Sequence, residues 1–139
     1  MPGCVLHVVG DKFDPSTVLA RSSLGPYLVF QKGDKRFPGN PTSSKLHDTC
    51  GFRCEVAAGG NLHDQALEAT AFLENHFDAL LELCSVPEIE SKSLDFGYEC
   101  RLDDRGCCVQ QDDLPPEILR LCGSLGIWIK LSLYPRLKD

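Results

Sequence analysis

Thiol and imidazole side chains gather at one place along the chain. Cys50 and Cys54 flank three residues, with His47 just upstream and His63 a little further on. Thiolate and imidazole are the usual tetrahedral ligands of zinc, and this spacing falls in the range of about two to four intervening residues that such sites use. A full site needs a second pair, and Cys100 or Cys107-Cys108 supplies it only if the fold brings them near. Strand alternation argues the other way. Cys54 and Cys100 fall on the apolar sides of their strands, where a thiol behaves as a small hydrophobe. His47, Cys50 and Cys54 are therefore the candidate metal ligands, zinc is the one cofactor suggested, and buried structural thiols are the plainer reading.

Other reactive types give less. Cys107 and Cys108 are adjacent, so a strand sends them to opposite faces, and no CxxC motif is present. His7 and His76 stand alone. No Ser or Cys occupies a nucleophile elbow. Gly59-Gly60 lacks the further Gly or Gly-Lys of a phosphate loop. Asp103-Asp104 and Asp112-Asp113 lack calcium-loop spacing and read as turns and caps. No catalytic residue is assigned, which favours a protein that is not an enzyme. Lys32, Lys35, Arg36 and Lys45 make residues 32–50 the most basic stretch. Lys35 and Arg36, with Arg53, are the candidates for binding an anion.

Composition narrows the field. A chain of 139 residues, 42% hydrophobic and 24% charged, suits a single soluble domain with one core. A net charge of −6 argues against nucleic acid and membrane surfaces, which call for a basic face. No stretch approaches the roughly 18 apolar residues of a membrane span, and the first residues lack the basic and apolar regions of a signal peptide. The expectation is a cytoplasmic protein whose eight cysteines are free thiols.

The elements that must position these residues follow from pattern. Residues 4–9 alternate as a strand. Asp14-Pro15 opens a helix, as N-cap and first helical residue, that runs to Gly25. Residues 27–31 form a second strand with Leu28 and Phe30 toward the core. Gly33, Pro38, Gly39, Asn40 and Pro41 make residues 32–50 irregular. Phe52, Cys54, Val56 and Ala58 alternate as the inner face of a third strand. Leu73, Phe77, Leu80 and Cys84 form the stripe of a long helix over 64–84. Leu94, Phe96, Tyr98, Cys100 and Leu102 mark a fourth strand, hairpinned through a turn at 103–106 to a fifth over 107–110. Pro115-Pro116 opens a last helix that Gly126 ends. Ile127, Ile129, Leu131 and Leu133 then give a sixth strand its core face.

The predicted order is βαββαββαβ, an α+β domain with one mixed or mostly antiparallel sheet and helices on one face. Its first six elements match the ferredoxin-like βαββαβ order. A weak repeat supports paired βαβ units at the two ends: Asp11, Pro15, Ser23, Leu24 and Gly25 reappear 101 residues later as Asp112, Pro116, Ser124, Leu125 and Gly126. The face opposite the core should carry Tyr27, Trp128 and Tyr134 beside Arg53 and Arg101, and large aromatics with arginine are what protein interfaces enrich. A protein partner or a homodimer is expected there.

Three features look familiar together: the opening Leu-His-Val-Val-Gly-Asp-Lys-Phe-Asp-Pro with a helix ending in Leu-Gly; the Gly-Asp-Lys-Arg loop leading to a strand; and the closing Pro-Pro-Glu-Ile-Leu helix with Leu-Gly and an apolar strand. They resemble the bacterial family known as domain of unknown function 4279, over nearly the whole chain, with Phe52 where that family's pattern would put Trp. The resemblance implies a small bacterial cytoplasmic domain and no particular activity. The functional expectation is a non-enzymatic interaction module, of an inhibitor or immunity type that covers a basic target with its acidic surface. The alternatives are a zinc protein built on His47, Cys50 and Cys54 and, third, a small anion-binding enzyme built around Lys35, Arg36 and Arg53.

Overall fold

The computed structural model describes residues 3–103, 106 and 108–136. In chain order the elements are β1 (Cys4–Gly10), α1 (Pro15–Leu19), β2 (Leu28–Phe30), β3 (Cys50–Ala57), α2 (Leu62–Asn75), α3 (Phe77–Cys84), β4 (Ser91–Glu99), α4 (Pro116–Leu125) and β5 (Trp128–Tyr134). The strands form one sheet in the order β2-β3-β1-β4-β5. β1 runs antiparallel to both β3 and β4, β2 runs antiparallel to β3, and β4 and β5 are parallel. β3 thus fills the gap between β1 and β2, and β1 the gap between β3 and β4. Two split βαβ units interlock in this way, which is the ferredoxin-like arrangement. Helix α4 then carries the chain across to lay β5 beside β4, as a parallel pair requires. The α+β class, the mixed sheet and the helical layer agree with the sequence.

The core lies between the sheet and the helices. Leu6, Val8, Phe52, Leu94 and Phe96 from the sheet meet Leu62, Ala66, Ala69, Leu73 and Leu80 from α2 and α3, and Ile118, Leu121 and Leu125 from α4, all buried. Each large side chain buried here contributes about 1.5–3 kcal/mol. Gln65 is a polar exception on the helix side, fully buried in α2. Its Nε2 donates to Gly60 O at 2.8 Å and Gly97 O at 2.7 Å, which ties the first turn of α2 to β4.

Several elements differ from expectation. Residues 108–110 form no strand, so the predicted hairpin is not made; Asp104, Arg105 and Cys107 of that prediction lie outside the described residues. A side chain takes the place of strand pairing: Gln110 accepts from Arg101 N at 2.7 Å and donates to Glu99 O. The sequence repeat therefore holds for a helix and the strand after it, while the strand that opens the second βαβ unit is β4. The long helix is two helices that meet at His76, whose backbone sits at φ −114, ψ 19. Its imidazole packs on Phe72 and lies 3.1 Å from Ser23 Oγ. Helix α1 starts as predicted, with Asp14 accepting from Ser16 N at 3.0 Å, but stops at Leu19. The chain then turns Leu24 into the core. Gly126 adopts the left-handed conformation expected of a helix stop (φ 64). In β3 an extra residue opposite the Cys4/Val5 step buries Ala57 where Ala58 was expected.

Candidate interaction face

The side of the sheet turned away from the helices is organised by register. Leu28 pairs with Arg53, Arg53 with His7, His7 with Ser93, and Ser93 with Trp128. These five residues form one row across all five strands, because directly opposed residues share a face. The next row holds Glu55, Val5, Asp95 and Lys130. Ser132 Oγ donates to Asp95 Oδ1 at 2.6 Å, which fixes a carboxylate on this face. Arg53 is half-buried, and its Nε has no hydrogen-bond partner. His7 is held below its ordinary pKa, first by burial and then by the cations of Arg53 and Lys130, with Asp95 opposing. The imidazole is therefore neutral at neutral pH.

One end of this face is covered and the other is open. The loop after β2 is more regular than its composition suggests: Gly33 N donates to His47 O, His47 N to Asp34 O and Arg36 N to Lys45 O, and Lys35 bridges Leu46. This folds the loop back so that His47 stacks on Phe30, with ring centroids 4.2 Å apart. Phe30 is buried there and lies over Gly51, where a Cβ would come within 2.7 Å of its ring. Leu28 and Phe30 thus face away from the helical core, contrary to the sequence reading. The loop supplies a second small cluster that hides Phe30, while Leu28 stays half-buried.

Among the described residues, no such cover reaches β5 and no strand pairs with its outer edge. Trp128 and Tyr134 are 69% and 47% exposed on the open face. On the helix side Leu131 and Leu133, expected in the core, are 53% and 57% exposed. They stand in register with the buried Phe96 and Tyr98, one strand too far out for the helices to cover. There they line an open groove of about 750 Å³ with Leu62, Leu114 and Leu119, and with Asp112 at its margin. Burial pushes the Asp112 carboxyl up, but hydrogen bonds from Gln110 and Arg101 hold it below the usual range.

The structure separates the other predicted residues. Cys50 and Cys54 turn into the core, whereas His47 stacks on Phe30 across the sheet. They do not converge as ligands, and among the described residues no group of three or more His, Cys, Asp or Glu side chains is placed to hold a metal. A strand's alternation accounts for this, since residues four apart share the buried side. Lys35 and Arg36 are exposed on the loop, with Arg36 over the Phe37 ring at 5.9 Å. Arg101 lies past the end of β4, paired with Asp112 at 2.8 Å, and does not belong to the sheet face. Tyr27 is exposed just before β2, beyond the row that Leu28 enters. Trp128, Tyr134 and Arg53 do share the face. The sequence reading missed His7, Ser93 and Asp95, whose polar positions opposite Leu6, Leu94 and Phe96 in the strand alternation were the available signal.

No family model, curated protein or solved structure matches this chain.

Proposed function

We propose that the chain is a non-enzymatic protein-interaction module of the bacterial cytoplasm that receives a strand of its partner along β5. The observation that carries this reading is a seven-residue edge that no strand among the described residues pairs with, bearing exposed apolar side chains on both faces. Edge strands are normally blunted by charge, proline, brevity or cover, because their free N–H and C=O groups recruit other chains. β5 has one charged residue, Lys130, and no proline. Strand addition would satisfy its backbone groups, while Trp128 and Tyr134 on one face and Leu131 and Leu133 on the other lose water. The cytoplasmic part of the reading draws on the seven described cysteines, all free thiols, as a reducing compartment keeps them. The inhibitor or immunity-type version adds a basic target, for which the net charge of −6 is the support.

The test compares the wild-type chain with a Trp128→Ala/Leu133→Ser variant. Both are assayed for self-association by light scattering and for capture of partners from extract, with circular dichroism as the folding control. The reading expects association to weaken strongly while the fold persists, since both side chains are about half exposed or more. A folded variant that associates as fully as wild type overturns it.

A further inference from the structure

We infer that the strand received by β5 is the β5 of a second copy, paired antiparallel about a two-fold axis through Leu131. This rests on the interaction reading above and names its partner. A two-fold interface must be self-complementary, with residue i meeting j and j meeting i. Centred on Leu131, the pairing sets Trp128 opposite Tyr134 of the second copy, Ile129 opposite Leu133, Lys130 opposite Ser132, and Leu131 opposite itself. Both aromatic pairs then fall on the open face. The aliphatic pairs fall on the helix side, so the helical layers of the two copies stay together. Aromatic and aliphatic cross-strand pairs of this kind are favourable, and like charges directly opposed are not.

Neighbouring registers fail on the same grounds. An axis through Lys130 opposes two ammonium groups. An axis through Ser132 separates Trp128 from Tyr134. A shift by one residue turns one copy over and sets Leu131 and Leu133 against Ser132 and Lys130. In the favoured register each Lys130 comes opposite Ser132, whose hydroxyl is held by Asp95 at 2.6 Å, so a cation approaches a fixed carboxylate across the junction. The net charge of −6 opposes self-association only weakly there, because Lys130 is the single charge of β5 and salt screens charges farther than about 8 Å. The opposite edge offers no rival site: β2 has three residues, and the His47 loop covers its Phe30.

The pairing of Leu131 with itself makes the test specific. Leu131→Lys and Leu131→Glu are prepared separately, then mixed in equal amounts, and mass in solution is read by light scattering and sedimentation. The wild-type chain is expected at twice its 15.3 kDa. Each variant alone opposes like charges at the axis, which raises the dissociation constant about a hundredfold. The mixture opposes Lys with Glu and returns to the two-chain mass. Leu131 is half exposed, so neither variant is expected to unfold, and circular dichroism checks this. A monomeric wild-type chain overturns the inference, as does a dimer indifferent to both variants or a mixture that stays monomeric. If wild type is monomeric yet captures a partner through Trp128 and Leu133, this inference falls and the interaction reading stands.

Discussion

Replacing Gln65 tests how the fold balances polar groups in its interior. The side chain is fully buried, donates two hydrogen bonds, and leaves its Oε1 without a partner. In Gln65→Leu, the bond to Gly60 O is lost at about 1 kcal/mol, since that carbonyl belongs to an exposed residue and regains water. The bond to Gly97 O strands a buried acceptor at about 1–3 kcal/mol, while removing the unpartnered Oε1 returns a similar amount. The expected net loss is about 1 kcal/mol. Gln65→Glu keeps the shape but sets a carboxylate against two carbonyl oxygens, and a buried unpaired charge costs about 3–5 kcal/mol. Its folded pKa must therefore rise above the unfolded value of about 4.3, so stability is present below that value and is lost as pH climbs to the folded pKa. Between about pH 5 and pH 8 the loss approaches 4 kcal/mol, at about 1.4 kcal/mol per pH unit. Urea unfolding followed by circular dichroism at both pH values, against wild type, reads this directly. A Gln65→Glu variant with the same deficit at both pH values, or a Gln65→Leu variant clearly more stable than wild type, refutes the reasoning.

Other consequences follow from the sheet and the thiols. Gly51→Ala forces a methyl group into Val8 O and the Phe30 ring, and should cost about 3 kcal/mol, seen as a lower urea midpoint. His7 has a folded pKa below its unfolded value of about 6.5, so wild-type stability should fall as pH drops through that value, and His7→Gln should flatten the slope. Burial raises the Cys54 and Cys122 thiols to about 11 and pushes Cys4 higher still. Since the thiolate is the reactive form, alkylation of the native chain at neutral pH should mark the exposed Cys84 and Cys108 and spare those three, as site-resolved mass spectrometry would show.

Local signals were most legible where one residue type has one physical use. Asp14-Pro15 opened α1, Gly126 closed α4, and alternation located β1, β3 and β4. The missing strand at 108–110 and the break at His76 depend on side-chain contacts that strand and helix periodicity do not encode, Gln110 with Arg101 and Glu99 in one case and His76 with Ser23 in the other. Strand pattern alone also misassigned faces. Leu28 and Phe30 look like core residues because they are apolar, yet both face away from the helices, and the folded-back loop with His47 gives Phe30 a second place to be buried. Leu131 and Leu133 carry the same alternation as Leu94 and Phe96. Their exposure follows from the position of β5 at the sheet edge, and no window of sequence contains that position. The Cys50 and Cys54 spacing suited a metal equally well in a loop, but in a strand it sends both thiols inward.

Amide hydrogen exchange over Trp128–Tyr134 tests the central claim most directly. It is measured with the chain dilute, concentrated, and diluted into clarified extract, with the β2 edge as the internal comparison. The account predicts that β5 amides exchange more slowly in at least one of the latter two conditions while Leu28–Phe30 are unchanged, because a new strand protects the outer edge of β5. Equal β5 exchange in all three conditions would contradict it.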